Sequence, residues 1–333
     1  MAVAVVAARP RSWGATLTAA GVACVDVARD GASVLGEAVR AVAPMALFLL
    51  VAISGASLAV RLGAARGAAF RLASVARGSG RRLFVLVCIA TALLTALVSL
   101  DGAVVAMVPV LVELRRRVGA PLRPLLLGVV AVANASSLAV PEGNPTNLVV
   151  IAHEGLPLGR AAATMLVPGV VATVLCATAV AWCERRALDA PFVTQESSAN
   201  GSPFGAGLLG AVRLVVQMLS LLVVVLALPL RLAVAGAGLP VLVGVAAGVS
   251  LLASLANNLP ASAVVAAGLA PGPAAYAALV GLSVGALATP QGSVATLIAG
   301  DLAGEQPHAP MLLPTALAAA LGATVVIWLT YVS

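Results

Sequence analysis

The sequence contains no lysine, only two histidines and four cysteines, and just 9% of its 333 residues are charged. A soluble domain carries about a quarter charged residues, so this chain has too few to cover a surface that faces water. Hydrophobic residues make up 62% of it, and the mean hydropathy is +1.11. These values exclude a soluble globular protein and indicate that lipid surrounds most of the chain.

The few side chains that could bind a metal are scattered. The cysteines lack CxxC or any other metal-ligand spacing and stand at Cys24, Cys88, Cys176 and Cys183. We interpret them as small apolar residues. His153 and His308 have no further ligand nearby. We therefore expect neither a metal site nor a cofactor. Without a nucleophile beside a base, the sequence also predicts that the protein is not an enzyme.

The basic charge consists entirely of arginine, and its distribution predicts membrane topology. The net charge is +7, and the arginines concentrate in short gaps between apolar runs, at 61–82, 115–123 and 185–186. Cytoplasmic loops are enriched in arginine, so we expect these loops in the cytoplasm and the protein in the cell (inner) membrane. Arginines in separate loops do not form a nucleic-acid-binding stripe, and no nucleic-acid partner is expected.

Long apolar runs predict the membrane-spanning helices, because a helix needs about 20 apolar residues to cross the hydrocarbon core. Eight runs qualify: 42–60, 83–100, 124–141, 160–183, 206–230, 238–256, 273–290 and 310–332. Residues 13–40 form a weaker segment, interrupted by charged side chains, which is either a degenerate first helix or a segment that lies at the membrane interface.

Shorter apolar pieces point to the functional site. They lie at 102–114, 143–152, 259–269 and 292–300, and each directly follows a polar or Gly/Pro-containing break. Irregular backbone is tolerated at membrane depth only where protein or a water-filled cavity satisfies its polar groups. The residues that break the helices are Gly102, Gly143, Pro145, Pro260, Pro290 and Gly292. Four breaks in one chain therefore predict a cavity.

The breaks occur in matched pairs. When 138–149 is aligned with 287–298, five of twelve positions are identical, including Pro141 with Pro290 and Gly143 with Gly292. Paired breaks in two halves are the best sequence indication of a transporter site. We predict an all-α polytopic membrane protein with two inverted repeats, each containing a re-entrant helical hairpin and a discontinuous helix. The predicted divisions are an N-terminal repeat at 1–186, a cytoplasmic linker at 187–205 and a C-terminal repeat at 206–333.

Acidic and amide side chains at the breaks supply the candidate chemistry. Asp101 and Glu142 are candidates for proton or cation coupling. An acidic side chain at membrane depth costs free energy, so its presence there indicates a function. Asp301 is a weaker third candidate. Side chains that can donate and accept hydrogen bonds to a solute are Asn144, Thr146, Asn147, Asn257, Asn258, Ser293 and Thr296. A neutral polyol-like molecule, an oxyanion and Na⁺ all remain compatible with this set.

Four stretches carry a resemblance to the arsenite efflux permeases of the ion transporter superfamily, which share a citrate-transporter-like domain. They are 70–112, 132–150 (VANASSLAVPEGNPTNLVV), 252–265 (LASLANNLPASAVV) and 288–297 (ATPQGSVATL). The resemblance implies an inner-membrane permease that exports the neutral trihydroxide of arsenic or antimony in exchange for protons. It also leaves open a homodimer and a cytoplasmic ATPase as partners.

By position in the matching motifs, the resemblance implies that the hairpin-tip residues are Asp101, Asn257 and Asn258. It likewise implies that the helix-break residues are Asn144, Asn147, Gly292, Ser293 and Thr296. Leu100 departs from the pattern, since an Asn usually precedes the hairpin-tip Asp. The run Glu-Gly-Asn-Pro-Thr-Asn at 142–147 is closer to relatives that carry organic anions or exchange Na⁺ for H⁺. The alternatives are thus a Na⁺/H⁺ antiporter, a Na⁺-coupled carboxylate carrier or an inactive structural or regulatory paralogue.

Overall fold

A computed structural model describes residues 2–190, 192, 208–228, 234, 236–269 and 271–332. Most of the predicted linker at 187–205 lies outside these residues. The described residues contain α-helices and short 3₁₀ turns and no named β-strand. This confirms the predicted all-α class.

Nine helices precede the linker. In chain order they are α1 (Ala2–Ala8), α2 (Trp13–Asp30), α3 (Ala32–Arg61), α4 (Ala64–Ala76), α5 (Gly80–Leu97), α6 (Leu100–Val118), α7 (Leu122–Ser136), α8 (Pro145–His153) and α9 (Leu158–Cys183). A 3₁₀ turn at Pro141–Gly143 lies between α7 and α8.

Seven further helices follow within the described residues. They are α10 (Arg185–Asp189), α11 (Leu208–Leu226), α12 (Leu239–Ala256), α13 (Asn258–Ala266), α14 (Pro273–Ser283), α15 (Val294–Ala303) and α16 (Leu312–Val332). A 3₁₀ turn at Gly285–Ala288 lies between α14 and α15.

Six of the described helices are long and apolar enough to cross a membrane: α3, α5, α9, α11, α12 and α16. Large apolar side chains such as Val51, Leu97 and Val174 are exposed on them. So many exposed apolar side chains on apolar helices belong against lipid. The protein is therefore an integral multi-pass membrane protein.

The centre of the molecule is formed by α7 and α14, the two helices that precede the breaks. All described residues of α14 except Pro273 are buried, and in α7 only Arg123 is exposed. Helix α6 packs against α15, and α13 packs against α8, so each hairpin arm contacts the short helix of the other half. This reciprocal packing brings all four breaks into one region.

Ion pairs bring several helix termini to one end of the molecule. They join Arg81 with Asp189, Arg123 with Glu184 at 3.4 Å, and Arg115 with Glu305 at 3.2 Å. The hairpin of α5 and α6 therefore begins and ends at the same end. Since α15 ends where α7 begins, the two broken helices run in opposite directions, as the predicted inverted repeats require. The repeats and their boundaries remain predictions.

The structure changes two of the predicted boundaries. The weak segment 13–40 is not one element: Gly31, with φ of 93°, separates α2 from a continuous α3. The second arm of the first hairpin is also longer than the predicted 102–114, because α6 extends from Leu100 to Val118. Glu113 pairs with Arg116 and Arg117 one turn later, so the polar end of α6 is itself helical.

Candidate functional site

A cavity of about 390 Å³ lies where the helix breaks meet. One wall belongs to α3, and the others come from the tip of the first hairpin, the first helix break and the beginning of α13. The polar residues that line it are Ser99, Asp101, Glu142, Asn144, Thr146 and Asn258. Five of these six were predicted from the sequence as site residues.

The two predicted coupling acids have different surroundings. Asp101 is 5% exposed, and its Oδ1 has no hydrogen-bond partner among the described residues. Glu142 is exposed, although it lines the same cavity. Burying a charged carboxylate without a partner is costly, so Asp101 is the acid whose charge depends on a proton or a ligand.

Capping residues position both hairpin tips. The Oγ of Ser99 accepts a hydrogen bond from the N–H of Gly102 at 3.0 Å, which directs Asp101 into the cavity from the first turn of α6. Asn257 caps α13 in the same way, by accepting from the N–H of Leu259 at 3.2 Å. Asn257 has φ of 78°, a left-handed conformation that is uncommon for residues other than glycine.

A buried amide network fixes the first helix break. The Nδ2 of Asn144 donates to the hydroxyls of Ser137 (3.1 Å) and Ser283 (3.4 Å), and its Oδ1 accepts from the N–H and hydroxyl of Thr146. Ser283 in turn donates to Oδ1 of Asn147 at 3.1 Å. Because Ser283 belongs to α14, the network joins the two halves of the chain.

The second break is fixed by hydrogen bonds to backbone carbonyls. The Nδ2 of Asn257 donates to the carbonyl of Gln291 at 2.5 Å, and the N–H of Asn258 donates to the carbonyl of Gly292 at 2.7 Å. Gln291 Nε2 donates to the carbonyls of Ser254 and Leu255. The tip of the second hairpin is therefore bound directly to the second helix break.

The matched glycines of the two breaks allow close backbone contact. A Cβ on Gly143 would lie 2.8 Å from the carbonyl oxygen of Thr95, in the first hairpin. A Cβ on Gly292 would collide with the carbonyl of Ala286 in the preceding turn. Real Cβ atoms essentially never approach this closely, which gives a physical reason for glycine at both aligned positions.

Several buried oxygens around the breaks have no hydrogen-bond partner in the described residues. They are Oδ1 of Asp101, Oδ1 of Asn258, Oε1 of Gln291, Oγ of Ser293 and Oγ1 of Thr296. Buried polar atoms are normally paired, and all of these can accept a hydrogen bond or coordinate a cation. The arrangement can bind a proton, a small cation or a solute rich in hydroxyl groups.

The predicted site residues divide into two groups. Asp101, Glu142, Asn144, Thr146 and Asn258 line the cavity. Asn147, Asn257, Ser293 and Thr296 are buried but do not line it. Of the predicted break residues, Gly102 and Pro260 lie inside the first turns of α6 and α13.

Sequence reasoning missed Ser283 and the wall formed by Ala41, Pro44, Met45 and Phe48 of α3. Ser283 lies inside an apolar helix, eight residues before Gln291, where no break draws attention to it. Its position offers one signal: in the repeat alignment it falls opposite Asn134, another buried polar residue.

The fold and the cavity define a class: a helical multi-pass membrane protein with a polar cavity where paired helix breaks meet, which is the architecture of a secondary transporter. Comparison with known proteins then identifies the group. The chain belongs to the citrate transporter family, whose sequence profile matches residues 1–322. The family that matches is the citrate transporter family and not specifically the arsenite permeases that the motifs resemble.

Two curated relatives match parts of the chain. A silicon efflux transporter of Oryza sativa subsp. japonica, LSI3, is 41% identical over 71 residues, which cover 21% of this chain and 15% of the relative. The inner membrane protein YbiR of Escherichia coli (strain K12) is 32% identical over 103 residues, which cover 31% of this chain and 27% of the relative. The matches thus span less than a third of either relative.

Proposed function

We propose that the protein is a proton-coupled antiporter that exports a small uncharged hydroxide, arsenite or antimonite as the neutral trihydroxide. The observation that carries this proposal is the charge of the cavity. Among its described lining residues, the ionisable side chains are the two acids Asp101 and Glu142, without an arginine or a histidine. An acidic cavity repels carboxylates and other anions and admits a neutral solute.

The unpaired oxygens fit such a solute. The hydroxyl groups of a trihydroxide donate hydrogen bonds, and Oδ1 of Asn258 is a buried acceptor without a partner in the described part of the chain. Asn144 is different: its two amide hydrogens and its two carbonyl lone pairs are already used within the protein. We therefore assign direct binding to Asn258, with Thr146 beside it, and a positioning role to Asn144.

In this mechanism Asp101 carries the coupled proton. When Asp101 is charged, its buried carboxylate is unfavourable without a partner, and a solute hydroxyl that donates to it stabilises this state of the cavity. When Asp101 takes up a proton, its carboxyl group is neutral and no longer needs that hydrogen bond, so the solute is released. Proton and solute therefore occupy the cavity alternately, as an antiporter requires. Movement of the two hairpins with the broken helices, relative to the surrounding spans, then exposes the cavity to the opposite side.

A second candidate substrate is silicic acid, the neutral tetrahydroxide of silicon. The observation that favours it is the local match to a protein named as a silicon efflux transporter. Silicic acid carries the same hydroxyl groups as arsenite, so the same unpaired oxygens of the cavity suit both solutes.

Carboxylate transport and Na⁺ coupling are the alternatives within the family. The family description names citrate, and the first turns of α6, α8 and α13, whose N–H groups could bind a carboxylate, line the cavity. The charged side chains of the cavity are both acidic, which disfavours an anion with three carboxylates. Na⁺ would suit Oδ1 of Asp101 and Oδ1 of Asn258, since neither has a hydrogen-bond partner among the described residues. The driving ion therefore has to be tested together with the substrate.

The test is a substrate panel in proteoliposomes containing the purified protein. Arsenite, silicic acid and citrate are each loaded, and efflux is followed under an imposed pH gradient or an imposed Na⁺ gradient. We expect pH-driven efflux of a neutral hydroxide and no citrate flux above empty liposomes. Citrate efflux, or efflux driven only by Na⁺, would contradict the proposal.

A further inference from the structure

Helix α4 connects two membrane spans at one end of the molecule. It begins three residues after α3 ends at Arg61, and α5 begins four residues after its end at Ala76. Its 13 residues measure about 20 Å and include Arg66 and Arg71, so α4 cannot cross the membrane. A short helix between the ends of two spans lies at the boundary between lipid and water.

The two faces of α4 differ in character. Ala65, Ala69, Ala73 and Ala76 are buried, and the helix packs against α5 and α6. The opposite face exposes Phe70, which is 71% accessible, together with Arg66, Arg71 and Val75. An exposed face of apolar and cationic side chains is typical of a helix that lies in the headgroup region.

The charge around α4 is unbalanced. Residues 61–82 contain six arginines and no acid. Arg81 pairs with Asp189. The other five are Arg61, Arg66, Arg71, Arg77 and Arg82, and no acidic side chain among the described residues lies within 4 Å of them. A cluster of arginines beside membrane spans attracts anionic lipid.

A pocket marks where a headgroup would bind. It has a volume of about 280 Å³ and is lined by Phe70, Ala73, Ser74, Arg77, Gly78 and Phe192. Phenylalanine side chains and the hydroxyl and guanidinium groups of Ser74 and Arg77 thus share one concave site.

The backbone of Arg77 adds an independent observation. Arg77 ends α4 with φ of 51° and ψ of 45°, in the left-handed region where glycine is the usual residue. A residue held in this conformation costs stability and is often found at a functional site. Glycine would adopt this backbone conformation at a lower cost, so the arginine at this position indicates a role for its guanidinium group.

We propose that the α4 surface, formed by Arg66, Phe70, Arg71, Ser74 and Arg77, binds a phospholipid with an anionic headgroup. Arg77 holds the phosphate in the pocket, since guanidinium groups match phosphate geometry. Ser74, whose hydroxyl donates to the carbonyl of Arg71 at 2.8 Å, lines the pocket beside it. Phe70 lies against the upper part of the acyl chains, and Arg66 and Arg71 contact neighbouring headgroups. This site is separate from the transport cavity and does not depend on the substrate.

The decisive variant is Arg77→Gly, because it removes the guanidinium group and relieves the backbone strain at the same time. Native mass spectrometry of the purified protein, titrated with phosphatidylglycerol, measures lipid binding. Arg77→Lys keeps the charge but loses the forked geometry, and Arg66→Gln with Arg71→Gln tests the rest of the surface. Arg40→Gln is the matched control, since Arg40 lies 21 positions before Arg61 on α3, about 31 Å away along the helix.

We expect Arg77→Gly to bind phosphatidylglycerol roughly five-fold more weakly, while its midpoint of thermal unfolding in detergent stays equal or rises. The control should bind like wild type, and phosphatidylcholine should bind more weakly than phosphatidylglycerol to the wild type. Equal binding by Arg77→Gly and wild type would overturn the proposal. So would equal binding of the two lipids, full competition by inorganic phosphate alone, or an Arg-dependent dimer that excludes lipid.

Discussion

Asp101 and Glu142 look alike in the sequence, because each follows an apolar run and stands beside a glycine. The structure separates them by burial: Asp101 is enclosed with an unpaired oxygen, and Glu142 is exposed at the same cavity. The difference arises from local geometry. Ser99 caps α6 two residues before Asp101 and turns Asp101 inward, whereas Glu142 lies in a 3₁₀ turn.

Ser283 is the residue with the largest expected effect among those that the sequence analysis missed. In Ser283→Ala, Asn144 Nδ2 and Asn147 Oδ1 each lose a buried partner, at a cost of about 1–3 kcal/mol each. We predict roughly ten-fold slower transport with intact membrane insertion. The matched control is Ser220→Ala, since Ser220 bonds only to its own helix. Equal rates for the two variants would show that the network does not position the site.

Gly143 tests the close contact between the first hairpin and the first break. In Gly143→Ala the added methyl group would lie 2.8 Å from the carbonyl oxygen of Thr95, and overpacking of this kind costs about 1–3 kcal/mol. We predict lower thermal stability in detergent and loss of most transport. Gly159→Ala is the control, because nothing lies within 4 Å of its Cβ position. A fully active Gly143→Ala protein would contradict the geometry of the break.

At the scale of elements, the sequence could predict the helix breaks but not all their boundaries. Polar and Gly/Pro-containing gaps predict two discontinuous helices, and the structure has 3₁₀ turns in those stretches, at Pro141–Gly143 and Gly285–Ala288. The end of α6 was placed too early, because Glu113 and the three arginines that follow lower its hydropathy although they continue the helix. The sequence did not predict the boundary at Gly31. Charged residues on both sides of Gly31 keep the hydropathy low throughout this region, so it does not change where one helix ends and the next begins.

Asp301 illustrates a contact that only the folded chain could show. It lies near the end of α15 and pairs with Arg11 at 3.0 Å and with Arg213 of α11 at 2.5 Å. Arg213 is buried and also donates to the carbonyl of Pro10. Asp301, the third candidate for coupling in the sequence analysis, is therefore part of an ion-pair cluster. This cluster joins α15 to α11 and to the N-terminal segment.

Removing one partner of this cluster should destabilise the protein. Asp301→Asn leaves Arg213 buried without a carboxylate, which costs about 3–5 kcal/mol. We predict a clear fall in the midpoint of thermal unfolding, and recovery of much of it in the double variant Asp301→Leu with Arg213→Leu. Asp189→Asn, which breaks an exposed pair with Arg81, should cost less than about 1 kcal/mol. Equal losses for Asp301→Asn and Asp189→Asn would argue against a structural role of the cluster.

At the scale of the whole molecule, composition was sufficient to predict a helical membrane protein. So few charged residues cannot cover a surface that faces water, and most of the chain must therefore contact lipid. The spatial arrangement was harder. Reciprocal packing of α6 with α15 and of α13 with α8 depends on long-range contacts that no local pattern encodes. The substrate was harder still, since neutral hydroxides, anions and Na⁺ can all be bound by amide and hydroxyl groups.

The four cysteines provide a test of the type of recognition. Cys88 and Cys176 are buried, Cys24 and Cys183 are exposed, and none of them lines the cavity. If arsenite is bound through its hydroxyl groups, a variant with all four cysteines replaced by alanine should keep at least about half of the transport rate. Loss of all transport in a correctly inserted variant would indicate sulfur coordination instead.

The central claim is that Asp101 couples proton movement to export of a neutral hydroxide. The most direct measurement is arsenite efflux from proteoliposomes under an imposed pH gradient, with wild type and Asp101→Asn reconstituted at equal density. The account predicts that efflux by the wild type follows the gradient and that Asp101→Asn no longer responds to it. Gradient-driven efflux by Asp101→Asn at the rate of the wild type would contradict the account.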